Sequence, residues 1–194
     1  MNSYALSEIS KTISVMQAIS ADQLLLEVVE QVGKSCAESI RNGGKVMFCG
    51  NGGSAADSQH LAAELVGKLV LPRPGMPGLA LTTDTSALTA IGNDFGYEFV
   101  FSRQVEALGA PGDVLVGIST SGGSRNVITA MEVARRKGIK TVAMTGQAHS
   151  PMADLADHWI AIPSRETPKI QEGHILLGHI FCALAEAEIH GTKV

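Results

Sequence analysis

Five short β-prone runs punctuate the chain, at residues 45–49, 79–82, 114–118, 141–144 and 159–162. Four of them are bounded by glycine or proline on at least one side. Longer stretches with helical spacing lie between, such as residues 124–137. Strands alternating with helices imply parallel pairing, right-handed crossovers and a sheet covered on both faces. The pattern predicts an α/β fold built on a doubly wound, five-stranded parallel sheet.

Ahead of the first run, residues 3–19 and 22–41 read as two helices joined at residues 20–22. The second carries a wide apolar stripe of Leu24, Leu25, Val28, Val29, Val32, Cys36 and Ile40, which implies either a subunit interface or deep burial. Residues 170–190 are apolar and predicted helical. Residues 69–77, with three prolines, read as a loop and not as a domain linker. The expectation is one domain over residues 1–194, with residues 1–41 as an N-terminal helical pair.

Hydrophobic residues make up 45% of the chain and charged residues 18%, a globular composition. The net charge of -4 lacks the basic footprint of a nucleic-acid binder. It leaves room for a small anion, which backbone N–H groups can hold. No run reaches the ~18 apolar residues of a spanning helix, so no membrane is expected. The opening MNSYALSEISKTISVMQ has no basic stretch followed by an apolar block and does not read as a signal peptide. Cys36, Cys49 and Cys182 are odd in number, with no zinc-knuckle or disulfide spacing. Reduced core thiols and a cytoplasmic location are the expectation.

Two knots of small residues then stand out. Asn51-Gly52-Gly53-Ser54 follows the first predicted strand, and Ser121-Gly122-Gly123-Ser124 follows the third. Each sits between a strand and a helix, where ligands bind in open α/β sheets. Glycine permits close backbone approach, and a helix start offers unpaired N–H groups and a positive dipole end. Ser119, Thr120, Ser121 and Ser124 add four hydroxyls able to donate to phosphate oxygens. Neither GxxxxGK[ST] nor GxGxxG occurs, so nucleoside triphosphates and dinucleotides are not the expected ligands. A single knot of this kind is as readily a plain turn and helix cap. Two, with dense hydroxyls, favour a phosphorylated small molecule.

His60 and Glu64, four residues apart, share a face of the helix after the first knot. Such a pair alone is ordinarily a surface hydrogen bond. A second polar set, Gln171 and His179, stands in the otherwise apolar terminal stretch KIQEGHILLGHIFCALAEAEI. The first pair begins two turns from an anion cradle, and two such clusters in one α/β domain suggest a site.

The segments CGNGGSAADSQHLAAEL, LTTDTSALTAIGNDFGYEFVFSRQVEALG, GDVLVGISTSGGSRNVI and TPKIQEGHILLGHI closely resemble the phosphoheptose isomerase family of sugar isomerase (SIS) domains. The resemblance runs from the second helix to the last. It implies a flavodoxin-like αβα sandwich, a sedoheptulose 7-phosphate substrate, and a cytoplasmic homotetramer with active sites between subunits. It also implies one zinc ion per subunit. His60, Glu64, Gln171 and His179 match the metal positions. Asn51, Gly52, Gly53, Ser54, Asn93, Asp94, Ser119, Thr120, Ser121 and Ser124 match substrate-contacting positions, with Glu64 and Gln171 serving both. Gly123 stands where relatives often carry asparagine, which removes no expected ligand.

Ketose–aldose isomerisation moves a proton between C1 and C2 through an enediol and needs a base at carbon with a proton relay at oxygen. Glu64 is expected as the base and His179 as the partner at the hydroxyls. Asn93 and Asp94, in the predicted loop IGNDFGYE, are expected to hold sugar hydroxyls. Asp57 and Gln59 are left outside the reacting set. One straight helix would hold the Gln171 and His179 Cα atoms about 12 Å apart. Either the helix begins after Gln171, or the metal ligands come from different subunits. Within the same fold, a regulatory protein like the DnaA initiator-associating protein would lack the pairing of Glu64 with His179. Arabinose-phosphate isomerases usually carry added regulatory domains.

Overall fold

The computed structural model describes residues 3–191; residues 1–2 and 192–194 of the single-domain expectation lie outside the described residues. The sheet contains β1 (Val46–Gly50), β2 (Gly78–Ala80), β3 (Val114–Ile118), β4 (Lys140–Gly146) and β5 (His158–Ile162). All pairings are parallel, and the order is β2-β1-β3-β4-β5. This is the flavodoxin-like order, whose direction of winding switches between β1 and β3.

Eight α-helices complete the described chain: α1 (Tyr4–Ala21), α2 (Gln23–Arg41), α3 (Gly53–Val66), α4 (Thr85–Asp94), α5 (Ser102–Leu108), α6 (Arg125–Arg136), α7 (Pro151–Leu155) and α8 (Thr167–His190). Side chains alternate along a strand, so each central strand feeds two cores. Val46, Phe48 and Val116 pack toward α2, α3 and α8, while Met47, Cys49 and Leu115 pack toward α5, α6 and α7. Every residue of β1 and β3 is buried, which explains why these strands read as continuous apolar runs rather than alternating ones.

Element ends differ from the sequence expectation where capping decides them. Asp22 alone forms the joint between α1 and α2: its carboxylate caps α2 by accepting from the Leu25 N–H at 3.0 Å. The edge strand β2 pairs only with β1 and ends at Ala80, short of the expected Thr82. Asn93 and Asp94 are not in a loop; they close α4, before Gly96 turns the chain at φ 98. The terminal helix starts at Thr167 rather than Ile170, because Pro168 fits the first turn, where no N–H is needed. Helix α8 is therefore continuous from Gln171 to His179, which removes the possibility that the chain bends between them.

The apolar stripe of α2 is largely explained by burial against α8: Leu25, Val29, Val32 and Cys36 are core residues, while Leu24 stays exposed. In contrast, α1 buries only Ile19 and leaves Tyr4, Leu6, Ile9 and Ile13 exposed. Among the described residues no single helix is long and apolar enough to cross a membrane, and the α1–α2 pair bends by 78°.

Candidate active site

Gly50 of β1 pairs with Ile118 of β3, so both glycine turns leave the sheet side by side at the switch point. They line one cavity of about 320 Å³ with Asn51, Gly52, Gly53, Ser54, Ser119, Thr120, Ser121, Ser124, Thr167 and Gln171. Hydroxyls converge in the second turn: Ser119 Oγ lies 2.8 Å from Ser124 Oγ and 3.4 Å from Ser121 Oγ. The backbone N–H groups of Thr120, Ser121 and Ser124 have no acceptor among the described residues. Free N–H donors beside hydroxyls at a helix start suit a phosphate.

The first turn is tied to the second by a reciprocal amide pair. Asn51 Nδ2 donates to Asn126 Oδ1 at 2.9 Å, and Asn126 Nδ2 returns a bond to Asn51 Oδ1 at 2.8 Å. The Tyr97 hydroxyl also donates to Asn51 Oδ1, at 3.1 Å. The Asn51 side chain is thus engaged in holding the two turns together. Neither Asn126 nor Tyr97 carried a sequence signal for this, beyond a buried polar residue on the apolar face of α6.

Helices α3 and α8 run parallel at close range. Gly53 faces the Gln171 amide, Gly178 admits Leu61, and His60 meets His179. A side chain at Gly53 would strike Gln171, and one at Gly178 would meet Leu61 Cδ2 at 2.7 Å. The near-constant pairing offset means that both helices carry their polar residues in step. Gln171 and Gly53 meet at the cleft, and His60, Glu64 and His179 gather about two turns further on.

In that second place His60 Nε2 lies 2.8 Å from His179 Nε2 and 3.1 Å from Glu64 Oε1. One ligand atom from each of the three falls within 4.8 Å of the others. Two imidazoles and a carboxylate are a fitting donor set for zinc. The Gln171 amide stands at the cleft against Gly53, eight residues earlier on the same helix. Asp57, one turn before His60, has a buried Oδ2 with no partner among the described residues. Burial raises its pKa, against the opposing pull of His60 and His179.

Asn93 and Asp94 are exposed and bond to each other, Asn93 Nδ2 donating to Asp94 Oδ1 at 2.8 Å. They do not line the cleft of their own protomer.

Residues 9–146 match the SIS domain family model. The phosphoheptose isomerase of Aneurinibacillus thermoaerophilus is 54% identical over 193 residues, covering 100% of this chain and 98% of the relative. That of Akkermansia muciniphila is 61% identical over 163 residues, covering 84% and 86%. The chain belongs to the phosphoheptose isomerase family. The solved structure of phosphoheptose isomerase GmhA from Neisseria gonorrhoeae superposes with a TM-score of 0.88 at 43% identity, over 94% of this chain and 97% of that one. Phosphoheptose isomerase membership thus rests on the whole length of the chain, both glycine turns and the α3–α8 pair included.

Proposed function

We propose that the protein interconverts D-sedoheptulose 7-phosphate and D-glycero-D-manno-heptose 7-phosphate, the first step toward an activated heptose for lipopolysaccharide or other surface glycans. The observation that carries this reading is the parallel α3–α8 pair. At one level of the pair lies an anion cradle, and about two turns (roughly 11 Å) on lies an imidazole–carboxylate–imidazole set. A substrate with a phosphate at one end and an exchanging proton at the other suits that spacing.

The roles follow from chemistry. The N–H groups of Gly52 and Gly53, with Ser54, Ser119, Thr120, Ser121 and Ser124, receive the phosphate end. Glu64 takes the proton from one carbon and returns it to the next; His179 relays the hydroxyl proton. Gln171 contacts substrate from the cleft. Asn93 and Asp94 are read as sugar-hydroxyl ligands on the family motif alone. Zinc would be held by His60, Glu64 and His179; the same motif adds Gln171, which α8 keeps at the cleft of its own protomer and which would therefore come from a neighbouring protomer. When bound, the ion supplies polarisation of a sugar oxygen.

The exposed apolar residues of α1 support self-association, and we read the assembly as a homotetramer with sites between protomers. The chain is read as one SIS domain including the α1–α2 pair. Three free, buried cysteines support a reducing, cytoplasmic setting. The test is incubation of the purified protein with sedoheptulose 7-phosphate, with and without added zinc. Aldose formation is the expected result; its absence under both conditions would refute the activity.

A further inference from the structure

Helix α3 ends at Val66, with Gly67 as its C-cap, so Glu64 lies in the final turn. Carbonyls in the last turn of a helix have no intrahelical partner, and such turns fray unless something else receives them. Here the main receiver is a guanidinium from the loop that follows, and the Met76 N–H also donates to the Leu65 carbonyl at 2.9 Å. Arg73 Nη2 donates to the Glu64 carbonyl at 2.8 Å; Nη1 donates to the carbonyls of Leu65 at 2.8 Å, Gly67 at 3.1 Å and Pro74 at 3.0 Å. Arg73 Nε donates to Glu186 Oε1 at 2.7 Å. Glu186 stands on α8, seven residues and about two turns beyond His179. Its other oxygen accepts from the Val70 N–H at 2.9 Å. The two side chains are 2% and 1% exposed.

We infer that Arg73 is a positioning residue for the isomerisation. Its buried fork fixes the last turn of α3, and so the Glu64 carboxylate, against the helix that carries His179, with Glu186 as its anchor on that helix. This rests on the reading of Glu64 as the base. Stability alone does not call for such a pair, since a well-packed apolar replacement of a buried ion pair is often as stable. What an apolar pair cannot do is span three helix-end carbonyls. Lysine cannot either, because it presents a single ammonium where arginine presents a rigid fork. Burial pushes the Glu186 carboxyl up, but the Val70 and Leu71 N–H groups and Arg73 outweigh it and hold the group below the usual range. The anchor therefore stays ionised.

Three full-length variants separate the possibilities: Arg73→Lys, Glu186→Gln and Glu64→Gln. Each is assayed for kcat and KM with sedoheptulose 7-phosphate well below its melting temperature. Arg73→Lys should fold and keep KM within about twofold while kcat falls roughly 10- to 100-fold, as expected when a reacting group is misplaced. Glu186→Gln should melt earlier yet keep most of its kcat, because the fork still reaches the carbonyls. Wild-type kcat in Arg73→Lys overturns the inference, as do kcat losses that follow the melting temperature in both variants. If Arg73→Lys does not fold, hydrogen exchange on the wild-type protein decides. Amides 64–67 should exchange as slowly as mid-helix amides, and exchange at the rate of a frayed end overturns the clamp. Full turnover in Glu64→Gln removes the base and the clamp's purpose together. An inactive Glu64→Gln beside a fully active Arg73→Lys removes the clamp alone.

Discussion

His60 Nε2 and His179 Nε2 stand 2.8 Å apart, their rings edge to face, joined across 119 residues of chain. Two bare imidazole lone pairs repel at that distance, so either one ring donates its hydrogen to the other or a cation lies between them. Glu64 Oε1 lies 3.1 Å from the same His60 nitrogen, and the three atoms are close enough to serve as ligands of one divalent ion, as proposed above. Chelation should lower isomerase activity and added Zn²⁺ should restore it. His60→Asn should retain less zinc after dialysis, as measured by elemental analysis. A fully active sample free of metal would remove the ion from the mechanism.

Glu64→Gln preserves shape and removes the base. The expected loss of turnover is about 10²- to 10⁴-fold, with the fold intact by circular dichroism. Near-normal heptose isomerisation by this variant would assign the proton to another group.

Ser121 offers a different kind of test, since a phosphate is bound equally in the ground and transition states. Its hydroxyl lies 3.4 Å from Ser119 Oγ and accepts from the Gly123 N–H at 3.2 Å, leaving its own hydrogen for a ligand. Ser121→Ala should raise KM on the order of tenfold and leave kcat little changed. An unchanged KM would mean that this hydroxyl does not meet the phosphate.

What the chain discloses about itself follows the range of the interactions. The strands, their parallel pairing and the two glycine turns are legible because their signals are local: apolar runs, helical spacing, small residues at the joints. Asn126 and Arg73 are not legible. Asn126 bonds a residue 75 positions away, and Arg73 is anchored by one 113 positions away; neither leaves a pattern near itself. The placement of Gln171 is intermediate. Sequence identifies it as polar in an apolar helix, but only the unbroken start of α8 at Thr167 fixes its amide beside Gly53, away from His179. The end of α4 was obscured because Asn93 and Asp94 are residues that favour turns, while the helix above them carries them to its last position.

His174 supplies a test by pH. It is fully buried on α8, its Nε2–H donating to the Thr145 carbonyl at 3.1 Å and its Nδ1 without a partner among the described residues. Burial lowers its pKa from 6.5 to about 4, against the smaller opposing effect of the Thr145 carbonyl. Below pH 6.5 the unfolded chain takes up a proton that the folded chain refuses until about pH 4. The stability gained by keeping this imidazole neutral is therefore complete above pH 6.5 and is lost as pH falls through that window. The slope approaches ~1.4 kcal/mol per pH unit, for a total on the order of 3 kcal/mol. Glutamine can place an amide donor near the same carbonyl and does not titrate. In urea denaturation, His174→Gln should flatten the decline in stability between pH 6.5 and 4, whatever its effect at neutral pH. The same acid slope in variant and wild type would assign the lost stability to other groups.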